Sequence, residues 1–316
     1  MFRKSILPIF LSLSVLLGAC STPAASPTAA PTAEPAPKPL ILTDGLGREV
    51  KLAAPAQRIV SLAPSNTEIV FALGAGDKLL GRDDFSDYPA EALKVPSIGS
   101  LYPNVNAEVI VALKPDLVLA AGITNPDDVT ALAKLGLTVY TTHNATSLAD
   151  IYSDILAVGR LTGHGADAEK LVADMQARVE AVTARTAALT DKPKVFYEID
   201  ATDPARPYTA GPGTFVDQLL AMAGAANVGN VSAEAYFQIS VEELVAQDPA
   251  MIILGSYTYG GQTPEMVKAR SGWDKIAAVK NDAVYTFDDN LVSRPGPRIV
   301  EGLETLAKLI HPELFT

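Results

Sequence analysis

The strongest constraint on this chain is a motif written twice, 134 positions apart. One copy runs Asn106-Ala-Glu108-Val-Ile-Val-Ala-Leu-Lys-Pro115-Asp-Leu-Val-Leu. The other runs Ser240-Val-Glu242-Glu-Leu-Val-Ala-Gln-Asp-Pro249-Ala-Met-Ile-Ile. Each copy holds a capping residue, an acid at the second helical position, one helical apolar stripe, a proline stop and an apolar run suited to a buried strand. Two such units predict two similar lobes, each showing a glutamate at a helix start. A first-turn carboxylate is favoured by the helix dipole, and matched acids on matched lobes suit docking onto a two-fold partner. Ser240 with Glu243 reads as a capping box, which gives Glu243 to its own helix and leaves Glu242 to face outward.

The intervening sequence alternates in the same way. Residues 41–51 read as a β-hairpin turning at Gly45 and Gly47. Short apolar strands are expected at 58–62, 79–81, 117–120 and 138–141, between helices at 68–73, 108–113 and 127–135. The pattern then changes to two amphipathic helices, 147–161 and 166–189. The second contains neither Gly nor Pro and spans roughly 36 Å at about 1.5 Å per residue. After Pro193 the alternation resumes, with strands at 194–199, 251–254 and 283–287 and helices at 214–223, 242–246 and 297–310. The fold class is α/β: two Rossmann-like lobes with parallel-type sheets, joined by a single long rigid helix, with a ligand cleft between the lobes at the carboxyl ends of the strands.

The ends add a compartment. Arg3 and Lys4 precede an apolar run that closes on Leu17-Gly18-Ala19-Cys20, and Cys20 is the sole cysteine. The run is too short for an ordinary spanning helix. It resembles the lipobox of bacterial lipoproteins, with Gly18 a small departure, and so implies lipidation at Cys20. Residues 21–39 hold only Ser, Thr, Pro, Ala, Glu and Lys, a composition with nothing to bury. The expected organisation is a lipoprotein signal peptide at 1–19, the lipidated Cys and a disordered tether at 20–39, an N-terminal α/β lobe at 40–146, a helical linker at 147–192 and a C-terminal α/β lobe at 193–316. A formal net charge of −11 argues against a nucleic-acid partner, whose backbone calls for clustered Lys and Arg.

Three stretches carry a wider resemblance: Arg58-Ile-Val-Ser-Leu-Ala-Pro64-Ser-Asn-Thr-Glu68, Phe85-Ser-Asp-Tyr88-Pro89 and Ala112-Leu-Lys-Pro115-Asp116-Leu-Val, together with Arg294-Pro-Gly-Pro-Arg298. The chain resembles, over roughly residues 40–316, the substrate-binding proteins of bacterial ABC importers in the helix-joined subgroup that carries cobalamin, ferric siderophores and haem. The resemblance implies that Glu108 and Glu242 form salt bridges with arginines of a permease dimer, which works with an ATPase. It also implies a monomeric, non-enzymatic protein with no intrinsic cofactor, held at the membrane on its extracytoplasmic face. The Phe85 stretch most resembles the cobalamin-binding branch, with ferric-siderophore and haem binding as alternatives, and a surface receptor or adhesin without transport as a further one.

A metal macrocycle needs flat apolar walls and a few polar contacts. The candidates are Phe85, Tyr88, Leu101, Tyr102, Tyr208, Tyr236, Phe237 and Tyr257, with Tyr259 beside the last; each is otherwise a packing residue. Arg294, in a Pro- and Gly-rich loop, either binds an anionic group of the ligand or ties loops together. Arg82, Asp83 and Asp84 form either a local ion-pair cluster or a polar rim. The three histidines show no paired metal spacing, so a bare-ion site is not expected; His143 follows a strand end, from which it could reach the cleft. With Cys20 given to the anchor, no thiolate remains for a metal-cluster enzyme.

Overall fold

The first lobe grows from four short strands whose residues are almost all apolar and buried on both faces: β3 (Ile59–Ser61), β4 (Leu79–Arg82), β5 (Leu117–Ala120) and β6 (Val139–Thr141). They pair in parallel in the order β4-β3-β5-β6. Ahead of them, β1 (Leu40–Thr43) and β2 (Glu49–Leu52) form the antiparallel hairpin expected of 41–51. This computed structural model describes residues 39–315, with Met1, Ser5 and Leu7 besides. The expected signal segment, Cys20 and nearly all of the tether lie outside the described residues. No described helix is long and apolar enough to cross a membrane.

Helices α1 (Pro64–Ala72), α2 (Ala107–Ala112) and α3 (Pro126–Lys134) connect these strands. Pro64 and Pro126 each stand in the first helical turn, where a missing N–H costs nothing. A helical pair follows, α4 (Leu148–Thr162) and the 22-residue α5 (Gly165–Thr186), about 33 Å long. The second lobe holds β7 (Lys194–Asp200), β8 (Tyr208–Ala210), α6 (Phe215–Met222), β9 (Ala226–Asn227), β10 (Tyr236–Gln238), α7 (Val241–Gln247), β11 (Met251–Leu254), α8 (Ser256–Gly260), α9 (Pro264–Lys268), α10 (Ala277–Lys280), β12 (Val284–Thr286), α11 (Asn290–Ser293) and α12 (Ile299–Ile310). Its sheet runs β10-β8-β7-β11-β12, with β9 also paired to β7. The β7, β9, β11 and β12 pairings are parallel as expected, whereas β8 and β10 add an antiparallel edge that the sequence pattern did not announce.

Strand alternation sorts the core. On β5, Leu117 and Leu119 join one apolar cluster while Val118 and Ala120 join another; on β11, Ile253 and its neighbours Ile252 and Leu254 divide likewise. The first of these clusters is shared by both lobes. It contains one face of each sheet and the buried sides of α4, α5, α6 and α12. The lobes are thus joined by a continuous packed interior, of which the long helix is one part.

The two copies of the repeat take the same backbone course. Asn106 accepts from the Val109 N–H at 3.3 Å, and Ser240 from the Glu243 N–H at 3.1 Å. Each helix ends at a left-handed residue directly before its proline: Lys114 with φ 50° and Asp248 with φ 46°. The capping box expected at Ser240 is only half made. The Glu243 carboxylate turns instead to the Gln247 side chain, at 2.8 Å. The complete box occurs at α4, between Ser147 and Asp150.

Candidate ligand-binding cleft

All four parallel strands of the first lobe end at one cavity. Leu62 and Ser65 follow β3, Asp83 and Phe85 follow β4, Gly122 and Asn125 follow β5, and Thr142 and His143 follow β6. Strand carboxyl ends are where open α/β sheets bind ligands. The second lobe closes the space with Phe215, Tyr236, Tyr259, Ser293, Arg294 and Pro295. The cavity measures about 640 Å³, within the range of small-molecule sites, which runs from about 300 to 1,000 Å³.

Of the residues expected in the cleft, Phe85, Leu101, Tyr102, Tyr236 and Arg294 line it, and so does Tyr259. Four do not, each for a geometric reason. Phe237 is next to Tyr236 on β10, so it points to the opposite sheet face and packs on the second lobe's interior. Tyr208 pairs with Gln238, two residues along from the Ala210–Tyr236 pair, and stays exposed on the edge. Tyr257 precedes Tyr259 by two residues on α8, about 200° around the helix. Tyr88 lines a different hollow and lies beneath the Arg298 guanidinium, 3.9 Å from its ring centroid.

Arg294 is buried, and its guanidinium is already engaged. It donates to Asp87 at 2.6 Å, to Tyr259 Oη at 3.3 Å and to Glu68 at 3.5 Å. Of the two roles open to it, the loop-tying one is formed in this structure. Among the described residues Arg82 makes no ion pair; it donates to the backbone carbonyls of Ala92 and Asp83. Asp83 is buried at the cavity wall and accepts from Ser86 and from the Phe85 N–H. Burial pushes its carboxyl above the usual aspartate range, against the pull of those bonds.

Three groups carry more of the site than their sequence context announced. His143 lines the cavity with its ring held by Asp154, Nδ1 to Oδ1 at 2.7 Å. Glu68 and Arg298 form a pair between the lobes at 2.7 and 2.9 Å. The visible hint was that Glu68 and Arg298 close two of the stretches that carried the family resemblance.

Both repeat glutamates occupy the second position of their helices and are exposed. Neither pairs with a cation among the described residues.

A family model described as periplasmic binding protein matches residues 59–291. The chain belongs to the periplasmic binding protein family. Within it, a Bacillus subtilis (strain 168) protein called an uncharacterized ABC transporter substrate-binding lipoprotein, YvrC, is 34% identical over 318 residues, covering 99% of this chain and 98% of its own. Two solved family folds superpose well. The periplasmic vitamin B12 binding protein BtuF of Vibrio cholerae has a TM-score of 0.69 at 28% identity, covering 82% of this chain and 98% of its own. The periplasmic heme-binding protein RhuT from Roseiflexus sp. RS-1, in apo form, has a TM-score of 0.72 at 26% identity, covering 82% and 99%.

Proposed function

We propose that this family member is an extracytoplasmic lipoprotein that captures a metal chelate, a corrinoid first, and hands it to a two-subunit ABC permease driven by an ATPase. It binds and releases without turning its ligand over. The observation that carries the ligand reading is the cavity itself: strand-end loops of one lobe face the aromatic side chains Phe215, Tyr236 and Tyr259 of the other. Flat apolar walls with a few polar groups suit a macrocycle. BtuF is named for vitamin B12 and RhuT for heme, so the haem reading stands second.

Glu108 and Glu242 are the proposed docking acids. Their equivalent positions, exposure and fixed helix-start geometry suit recognition of matched basic groups on a two-fold partner, where charge sets orientation and on-rate. Cys20 is the proposed anchor, supported by the leader pattern and by the lipoprotein name of YvrC. The protein is proposed to act as a monomer.

Absorbance titration of the protein with cobalamin, haemin and a ferric siderophore tests the ligand. Tight binding of cobalamin is expected. Tight binding of either competitor with none of cobalamin overturns the corrinoid ranking, and failure to bind any of them overturns the chelate reading.

A further inference from the structure

We propose that the amino end of α1, with the Ser65 hydroxyl, is a hydrogen-bonding subsite of the cleft for a neutral carbonyl oxygen of the carboxamide class on the rim of the bound chelate. The inference rests on the metal-chelate reading above and gives that reading a peripheral recognition group.

Helix α1 begins without a side-chain cap. Its N-cap position is Ala63, which has no side-chain oxygen to give, and its first turn carries no acid. Pro64 stands in that turn and has no N–H to satisfy. The N–H groups of Ser65 and Asn66 remain, and they find no acceptor among the described residues. The Ser65 hydroxyl makes no hydrogen bond among them either, although the residue is only 6% exposed and lines the cavity. Among the described residues Trp273 Nε1 is the one side-chain N or O that is both fully enclosed and unpartnered. The Ser65 Oγ therefore keeps an opening, and the cavity lies beside it.

Two other helices that start at this cavity cap themselves. Helix α3 is capped by Asn125, which accepts from the Asp127 N–H at 3.0 Å, and it carries Asp127 and Asp128 in its first turn. Helix α6 is capped by Thr214, which accepts from the Asp217 N–H at 3.2 Å. The start of α1 is instead fixed from its flanks. Asn66 donates through Nδ2 to the Ala120 carbonyl at 2.9 Å and accepts at Oδ1 from Thr142 at 3.2 Å, which ties the helix to the ends of β5 and β6. Gly296 of the second lobe packs against the Ser65 backbone. The free donors are thus held in place before a ligand arrives, which lowers the ordering cost of binding.

A helix start by itself also suits an anion. The surrounding charges decide against one here. Asp83 and Asp128 line the same cavity, and Asp83 is linked to α1 through Ser86, whose Oγ lies 2.9 Å from Thr67 Oγ1. Arg294, the guanidinium among the lining residues, is already held by Asp87 at 2.6 Å. A carboxylate at the start of α1 would meet these acids with no free guanidinium or ammonium on the wall. A carbonyl oxygen takes the same N–H and O–H donors without adding charge. A corrinoid carries peripheral carboxamides, whereas haem carries carboxylates.

The test is a titration of the full chain with cyanocobalamin, its peripheral monocarboxylic acids, haemin and ferrioxamine B, for the wild type, Ser65→Ala and Ser65→Asp. Each monocarboxylic acid has a single propionamide hydrolysed and the same ring. The wild type should bind cyanocobalamin best and at least one of the acids about tenfold more weakly. Ser65→Ala removes one donor and should weaken cyanocobalamin by about three- to tenfold. Its urea midpoint should not fall, which separates a lost hydrogen bond from a lost fold. Ser65→Asp brings the protein's own carboxylate to the donors and should weaken cyanocobalamin further than alanine does. Equal affinity of the wild type and both variants for cyanocobalamin overturns the subsite while leaving the chelate reading standing. Cyanocobalamin and all of its acids bound alike, or haemin or ferrioxamine B preferred to cyanocobalamin, overturns the carboxamide class. Binding of none of these chelates overturns this inference together with the proposed function.

Discussion

Arg298 reaches across the two lobes to Glu68, its Nε and Nη2 lying 2.9 and 2.7 Å from the two carboxylate oxygens. The two residues are 230 positions apart in the chain, and the pair is almost dry, with side-chain exposures of 14% and 2%. Arg294 reinforces it from the adjoining loop, and the Arg298 guanidinium is capped by the Tyr88 ring. A buried bidentate pair of this kind fixes geometry more surely than it adds net stability, because desolvation offsets the attraction. It registers α1 of one lobe against the start of α12 of the other, directly behind the cleft.

That arrangement predicts an asymmetric mutational response. Arg298→Ala strands a buried carboxylate and is expected to lower stability by about 3–5 kcal/mol. Replacing both partners by apolar residues, Glu68→Leu with Arg298→Met, should recover most of the loss. Urea denaturation of the wild type and the two variants decides it; an alanine variant within about 0.5 kcal/mol of wild type would show the pair to be idle.

The neighbouring Asp87–Arg294 contact should leave a mark in acid. Burial works against the Asp87 carboxylate, but the Arg294 guanidinium at 2.6 Å outweighs it and holds the carboxyl below the usual aspartate range. The contact's contribution is complete above the ordinary aspartate value, near about 4, and is lost as pH falls through the lowered folded value. Asp87→Asn should therefore flatten the acid limb of the stability curve below about pH 4. Asp83, Asp154 and Asp289 run the other way: burial raises all three, so their contribution declines as pH rises through their raised values.

Charge reversal at both repeat glutamates, Glu108→Arg with Glu242→Arg, is expected to abolish uptake through the permease while chelate affinity stays within about twofold. Either single reversal should slow association more than it speeds dissociation, and added salt should shrink the difference. Full-rate uptake by the double variant would remove both residues from the docking role.

The two capping sites should differ. Asp150 closes a complete box, accepting at its Oδ2 from the backbone N–H groups of Thr146 at 2.9 Å and Ser147 at 3.0 Å. Asp150→Ala should cost about 1 kcal/mol. Glu243 closes nothing, so Glu243→Ala should stay within about 0.5 kcal/mol. Thermal or chemical unfolding of the pair separates the two.

Much of the fold was legible because its signals are local. Caps, prolines and apolar periodicity placed the hairpin, most of the parallel strands and the longer helices to within a few residues, but not the short β9 and α8 to α11 of the second lobe; the repeat showed that Glu108 and Glu242 hold equivalent positions. The edge strands β8 and β10 were not legible. Each has three residues, and their antiparallel partners lie outside any short window. The candidate site was legible only as a set of aromatic loops. Nothing within the pair Tyr236-Phe237 says which ring faces the cleft; the pleat decides, once the strand is paired.

The chain's own order of residues determined the class, the two-lobed repeat, the leader pattern and the exposed helix-start acids, since each depends on neighbours a few positions away. Only the tertiary structure decided that Arg294 and Arg298 bind carboxylates of the opposite lobe, that the Tyr88 ring lies against the Arg298 guanidinium, and that the His143 ring is held by Asp154. Those contacts join residues as many as 230 positions apart. Their energies depend on burial and on distances of a few ångströms, which exist only after both sheets and the shared interior have packed. The helix starts that carry Glu108 and Glu242 keep their expected geometry because both acids lie at the surface, where their positions are set by their own short helices.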